Sequence, residues 1–156
     1  MANYAFIDAQ NLYLGVQADQ WKIDYSKFRN YLKDKFHISH AYLFIGYLPQ
    51  NADIYRDLQS DGYILIFKET LKIKNRLVKG NVDAELVLEA MIQYSNYKQA
   101  VIISGDGDFA CLIKYLYKQD KLLQVIVPNK NYSSLIKKTA KGKILVISDL
   151  KEKIKK

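Results

Sequence analysis

Asp106-Gly107-Asp108 places two carboxylates one residue apart, directly after the apolar run Ala100-Val101-Ile102-Ile103-Ser104. Like charges this close repel unless a proton or a cation intervenes, and a cation is the leading explanation. Two further acids hold comparable positions. Asp8 ends the run Tyr4-Ala5-Phe6-Ile7, and Asp83 opens the apolar-periodic segment that continues to Met91. An all-oxygen set of Asp8, Asp83, Asp106 and Asp108 suits a hard divalent ion, Mg²⁺ or Mn²⁺, rather than zinc. Such an ion lowers the pKa of a bound water and stabilises charge on a phosphoryl oxygen, and two ions would clamp the attacking and leaving oxygens.

These acids need a frame that brings them together. Ala100–Ser104 is short, β-branched and without polar alternation, which predicts a strand buried on both faces. Tyr4–Ile7, Ala41–Tyr47, Tyr63–Phe67, Leu122–Pro128 and Ile144–Ile147 read the same way. Helical periodicity lies between them. Asp24 is a candidate N-cap for a helix whose Tyr25, Phe28, Tyr31 and Leu32 face the core. Gly62 is a natural stop for a helix carrying Ile54 and Leu58. Val82, Leu86, Val87 and Ala90 form a stripe on a helix with Asp83 in its first turn. There Asp83 either complements the macrodipole or points to the site. Glu89, six residues on, falls on another face. Phe109–Leu116, Ser133–Thr139 and a short segment after Ser148-Asp149-Leu150 complete the helices. This alternation predicts an α/β domain of three layers, α/β/α, around a mainly parallel sheet. If the first strand lies beside Val101–Ser104, Asp8 and Asp106 converge at the carboxyl edge, where such sheets form their sites. Asn11 sits near a helix start, where it caps backbone N–H groups or faces a ligand. The expected organisation is one domain over 1–150 and a basic tail over 151–156 that frays.

The chain carries 24 basic and 16 acidic residues, a net charge of +8. A basic background around clustered acids points to a polyanionic partner such as nucleic acid. In 68–79, Lys72, Lys74 and Arg76 alternate with less polar positions. If that stretch is extended they share one face, as a phosphate-contacting ridge, as edge protection, or both. Thirteen tyrosines offer stacking surfaces for bases. The single cysteine, Cys111, excludes an internal disulfide, fits a reducing cytoplasm and reads as a small core residue. No apolar run approaches the ~20 residues that span a bilayer. The N-terminus lacks the basic and apolar regions of a secretion signal.

Competing motifs fail on inspection. Gly105 and Gly107 lack the third glycine of a dinucleotide loop, and the aspartates would repel a pyrophosphate. Counting an EF-hand from Asp106 puts Tyr117 where the bidentate Glu belongs. His37 and His40 lie three apart but have no Cys or acid at zinc spacing. Toprim-like sites would place Glu at position 8. A haloacid-type phosphatase would need Asp-x-Asp-x-Thr there, which Asp8-Ala9-Gln10-Asn11-Leu12 is not.

Three blocks in order, Phe6-Ile7-Asp8-Ala9-Gln10-Asn11, Lys79-Gly80-Asn81-Val82-Asp83 and Ser104-Gly105-Asp106-Gly107-Asp108-Phe109, resemble the signatures of NYN domains within the PIN-like nuclease superfamily. The resemblance implies a PIN-like, Rossmann-like fold over most of the chain and a metal-dependent endoribonuclease acting on RNA. Asp8, Asp83, Asp106 and Asp108 would be the catalytic and metal-binding residues, with Mg²⁺ or Mn²⁺ as cofactor. Asn11 and Ser104 would orient ligands or substrate. Gly107 stands where the family often carries Ser. Lys72, Lys74, Arg76 and Lys79 are the expected substrate-holding cations. The alternative expectation is a non-catalytic RNA-binding or regulatory module that keeps the acids as a structural cation site. A homodimer is left open.

Overall fold

The computed structural model describes residues 1–68, 71–73, 76–78 and 82–156, the two short inner stretches through their backbone pairing alone. The core is a six-stranded sheet in the order β3-β2-β1-β6-β7-β8. Its strands are β1 (Asn3–Asp8), β2 (Ile38–Gly46), β3 (Tyr63–Lys68), β6 (Ala100–Ile103), β7 (Leu122–Val127) and β8 (Ile144–Val146). All five pairings are parallel. Parallel neighbours need crossovers, and the helices provide them on both faces.

The unbroken apolar runs follow from that double covering. In β1, Ala5 and Ile7 enter one cluster with Leu12 and Val16 of α1 (Ala9–Ala18) and Phe28 and Leu32 of α2 (Tyr25–Phe36). Tyr4 and Phe6 enter the other, with Leu86 and Ala90 of α4 (Asp83–Ile92) and Leu112, Ile113 and Leu116 of α5 (Ala110–Lys118). Period-two alternation thus divides one hydrophobic run between two helical layers. The expected three-layer α/β architecture with a mainly parallel sheet is the architecture found.

Local signals act where they were read. Asp24 caps α2 by accepting from the Lys27 backbone N–H at 3.1 Å. Helix α3 (Ala52–Ser60) stops before Gly62, whose φ of 102° lies in the left-handed region that glycine adopts without a Cβ penalty. Helix α6 (Ser134–Ala140) is capped by Ser133.

Three expectations are corrected. The segment carrying Lys72 and Arg76 is not one extended strand. β4 (Leu71–Ile73) and β5 (Arg76–Val78) pair antiparallel, Lys72 opposite Leu77 and Ile73 opposite Arg76, so the two cations sit on different strands. Residues 151–156 do not fray. They form α7 (Lys151–Ile154) and a docked end, because Ile154 is a buried anchor. The Asp24 N–H donates to the Ile154 carbonyl at 2.8 Å and the Lys156 N–H to that of Lys22 at 2.9 Å. Cys111 is exposed rather than in the core. The buried stripe of α5 runs through Leu112, Ile113 and Leu116, and Cys111 falls with exposed Tyr115 on the opposite side.

Candidate metal centre

The strand order reverses its direction of growth between β1 and β6, and at such a switch point the crevice opens beyond the carboxyl ends. Asp8 is the last residue of β1, and Ser104-Gly105-Asp106 follows the last residue of β6. Ile7 pairs with Ile103, so the two strands deliver their acids side by side. Asp83 arrives from the first turn of α4, across the sheet edge. Asp8, Asp83 and Asp106 each present a carboxylate oxygen, and these atoms lie within 4.8 Å of one another.

A network of short polar contacts fixes two of the three. Asp8 is buried and serves as the N-cap of α1, its Oδ1 accepting from the Asn11 N–H at 3.3 Å. The Ser104 hydroxyl donates to Asp8 Oδ2 at 3.3 Å and accepts from the Asp106 N–H at 3.1 Å. Asn11 Oδ1 accepts from the Gly105 N–H at 2.8 Å, tying the start of α1 to the loop after β6. Asp8, rather than Asn11, therefore caps the helix, and the Asn11 side chain locks the neighbouring loop. Ser104 is fully buried, and its hydroxyl links the Asp8 carboxylate to the Asp106 backbone.

Asp108 lies apart from the three. It is exposed in a 3-10 turn (Gly107–Phe109), and its backbone N–H donates to Asp106 Oδ1 at 2.9 Å. Asp106 is the extended N-cap of this turn (φ −81°, ψ 126°), and Asp108 is not among the three grouped carboxylates. Glu89 is also outside the group; it accepts from Gln93 Nε2 at 3.0 Å. Lys74 and Lys79 lie outside the described residues, and of Lys72 and Arg76 only the backbone pairing is described.

The donor set fits a hard divalent cation. It is all oxygen, and its electrostatics are unfavourable without a counter-charge. Burial pushes the Asp8 carboxyl above its ordinary value. The hydrogen bonds from Asn11 and Ser104 pull it back down, and the Asp106 charge raises it again. A bound cation would relieve both the burial cost and the repulsion.

Ser133 is a contributor that sequence reading passed over. A Cβ built on Gly107 would lie 2.5 Å from Ser133 Oγ and 3.1 Å from Ser133 Cβ. The space a larger residue at 107 would need is therefore held by a hydroxyl from the start of α6. Ser133 is fixed there by its N–H, which donates to the Gly105 carbonyl at 3.1 Å, and by its Oγ, which accepts from the Leu135 N–H at 3.2 Å. A serine just before a helical segment is a cap signal, but nothing local reveals that it seats against Gly107. Gly107→Ala should force Ser133 aside, at about 1–3 kcal/mol for overpacking, a fall in Tm of roughly 2–12 °C. Adding Ser133→Gly should recover most of the loss. An unchanged Tm for the single variant would show that the contact yields freely.

The NYN domain family model matches residues 4–146. The chain belongs to the NYN domain family. Members are generally nucleases built on an acidic cluster, and they generally bind RNA. The chain is also similar to the Low amplitude and bright protein LabA of Synechococcus elongatus, 28% identical over 131 residues that cover 78% of this chain and 70% of that one. Among solved structures it resembles a protein of unknown function from Vibrio parahaemolyticus, with a TM-score of 0.77 at 21% identity, over 95% of this chain and 94% of the other. That likeness supports the fold alone. Among the described residues, no helix is long and apolar enough to cross a membrane.

Proposed function

We propose that this NYN domain is a metal-dependent endoribonuclease, with Asp8, Asp83 and Asp106 holding Mg²⁺ or Mn²⁺. The observation that carries the reading is the convergence of three carboxylates from separate elements within 4.8 Å at the switch point of a parallel sheet. A divalent ion held there would activate water and stabilise charge on the phosphoryl oxygens of an RNA phosphodiester.

The chain's own residues divide the remaining work. Asp8 is buried and doubly hydrogen-bonded, so it is the rigid member of the cluster. Asp106 and Asp83 are partly buried, less so than Asp8, and are assigned to the side that meets the RNA strand. Ser104 and Asn11 are positioning residues that hold the ends of β1 and β6 in register. Asp108, at the exposed rim, is suited to orient water or the leaving group. Lys72, Lys74, Arg76 and Lys79 supply positive charge for the backbone, in keeping with the net charge of +8. A lone exposed cysteine suits a reducing compartment, and we place the protein in the cytoplasm.

The test is incubation of the purified protein with single-stranded RNA in Mn²⁺, in Mg²⁺ and in EDTA. Internal cleavage in either metal and none in EDTA is expected. Salt-sensitive RNA binding with no cleavage in any divalent metal would overturn the catalytic reading and favour a binding module with a structural cation.

A further inference from the structure

A groove of about 760 Å³ lies between α1 and α3, along the end of β2. Ala9 and Gln10, the two residues that follow Asp8 in the chain, are among its lining. Its composition is unusual for a surface groove on a chain this charged. Among the described residues no acidic side chain lines it, whereas Gln10, Gln17, Gln20 and Asn51 bring four carboxamides. Its walls are aromatic and aliphatic. Tyr13 of α1 and Ile54 of α3 each stand 53% exposed where soluble surfaces are normally polar. Trp21 forms part of the wall, 8% exposed, and its indole N–H is buried with no hydrogen-bond partner. Tyr25 also lines the groove, its hydroxyl pushed up to about 12 by burial and then by the nearby Tyr13 phenol. Aromatic and aliphatic walls with a rim of amides that donate and accept describe the complement of one chemical class.

We infer that this groove binds a nucleobase, a planar neutral heterocycle whose faces stack on the aromatic walls and whose edge pairs with the carboxamides. Carboxamides match base edges because each offers a donor and an acceptor side by side, and every base has a π-face for stacking. The absence of acids permits the attached phosphate to approach, and Lys22 at the groove can meet it. The base comes either from the RNA strand next to the bond being cleaved or from a free nucleotide. The first source rests on the ribonuclease reading; the second does not.

Trp21 is the single tryptophan of the chain, so its fluorescence reports directly on the groove. The protein is titrated in EDTA with the four nucleoside 5′-monophosphates and, separately, with a short mixed-sequence single-stranded RNA. EDTA removes cleavage from the experiment. A saturable change with the RNA alone assigns the groove to a base of the strand; one with a mononucleotide as well assigns it to a free nucleotide. Tyr13→Ala and Gln17→Ala, both at exposed positions, should each weaken binding by about tenfold, the size of one stacking or edge contact. No saturable change with any of these probes at millimolar concentration, or equal affinity in both variants, would overturn the inference. Base binding intact together with no RNA cleavage in Mn²⁺ or Mg²⁺ would instead count against the ribonuclease reading alone.

Discussion

Asp106→Asn should abolish metal-dependent RNA cleavage, while Asp108→Asn should only reduce it. Asp106 is one of three carboxylates whose oxygens lie within 4.8 Å, and its removal leaves two of three charged ligands. A metal supplies several kcal/mol of transition-state stabilisation. Losing its grip should therefore lower kcat/KM by about 10²-fold or more. The substitution is gentle on the fold, because an amide oxygen at 106 can still accept the Asp108 N–H that Asp106 accepts at 2.9 Å. Asp108 is exposed and donates only its backbone to the cluster, so Asp108→Asn should cost about tenfold or less. Matched cleavage rates for wild type and Asp106→Asn, under saturating Mn²⁺, would remove the catalytic assignment. A larger loss from Asp108→Asn than from Asp106→Asn would shift the centre toward Asp108.

Divalent metal should raise the melting temperature, and the effect should depend on pH. At a free concentration a hundred times Kd, binding to the native state alone adds about 2.7 kcal/mol, or roughly 5–11 °C for a domain of this size. The sign of the pH effect follows from Asp8. Its folded-state pKa is raised above 3.8 by burial and by Asp106. The stability tied to this group is thus present below its unfolded value and is lost as pH rises through the folded one. Without metal, the cluster is a source of destabilisation near neutrality. Mn²⁺ should therefore give a larger increase in Tm at pH 7.5 than at pH 5. Metal-free Asp106→Asn should melt up to about 2–4 °C above wild type at pH 7.5, because a like charge beside Asp8 is gone. It should then gain little from Mn²⁺. An equal gain in the variant would show that the ion binds elsewhere.

The sheet was legible because its code is local. Runs such as Ala100–Ile103 and Ala5–Ile7 are apolar on both faces, and only a doubly covered strand explains that. The same locality exposed three of the acids, since an Asp at a strand end or in a first helical turn is visible in one dimension. What stayed hidden depends on contacts between distant residues. Ser133 touches Gly107 across 26 positions, and no short-range pattern encodes that approach. The docking of α7 rests on Ile154 against α2, which its lysine-rich neighbours conceal. The reversal between β4 and β5 interrupts an alternation that reads equally well as one strand. Cys111 was misplaced because a helix flanked by Leu112 and Ile113 still keeps a solvent side.

A crystal of the protein soaked in Mn²⁺, with anomalous scattering recorded, tests the central claim most directly. One or two anomalous peaks should appear among Asp8, Asp83 and Asp106, with carboxylate oxygens at the roughly 2.1 Å typical of small octahedral cations. No peak at that position under saturating Mn²⁺, or a peak coordinated by other residues, would contradict the assignment of these three carboxylates as the metal centre.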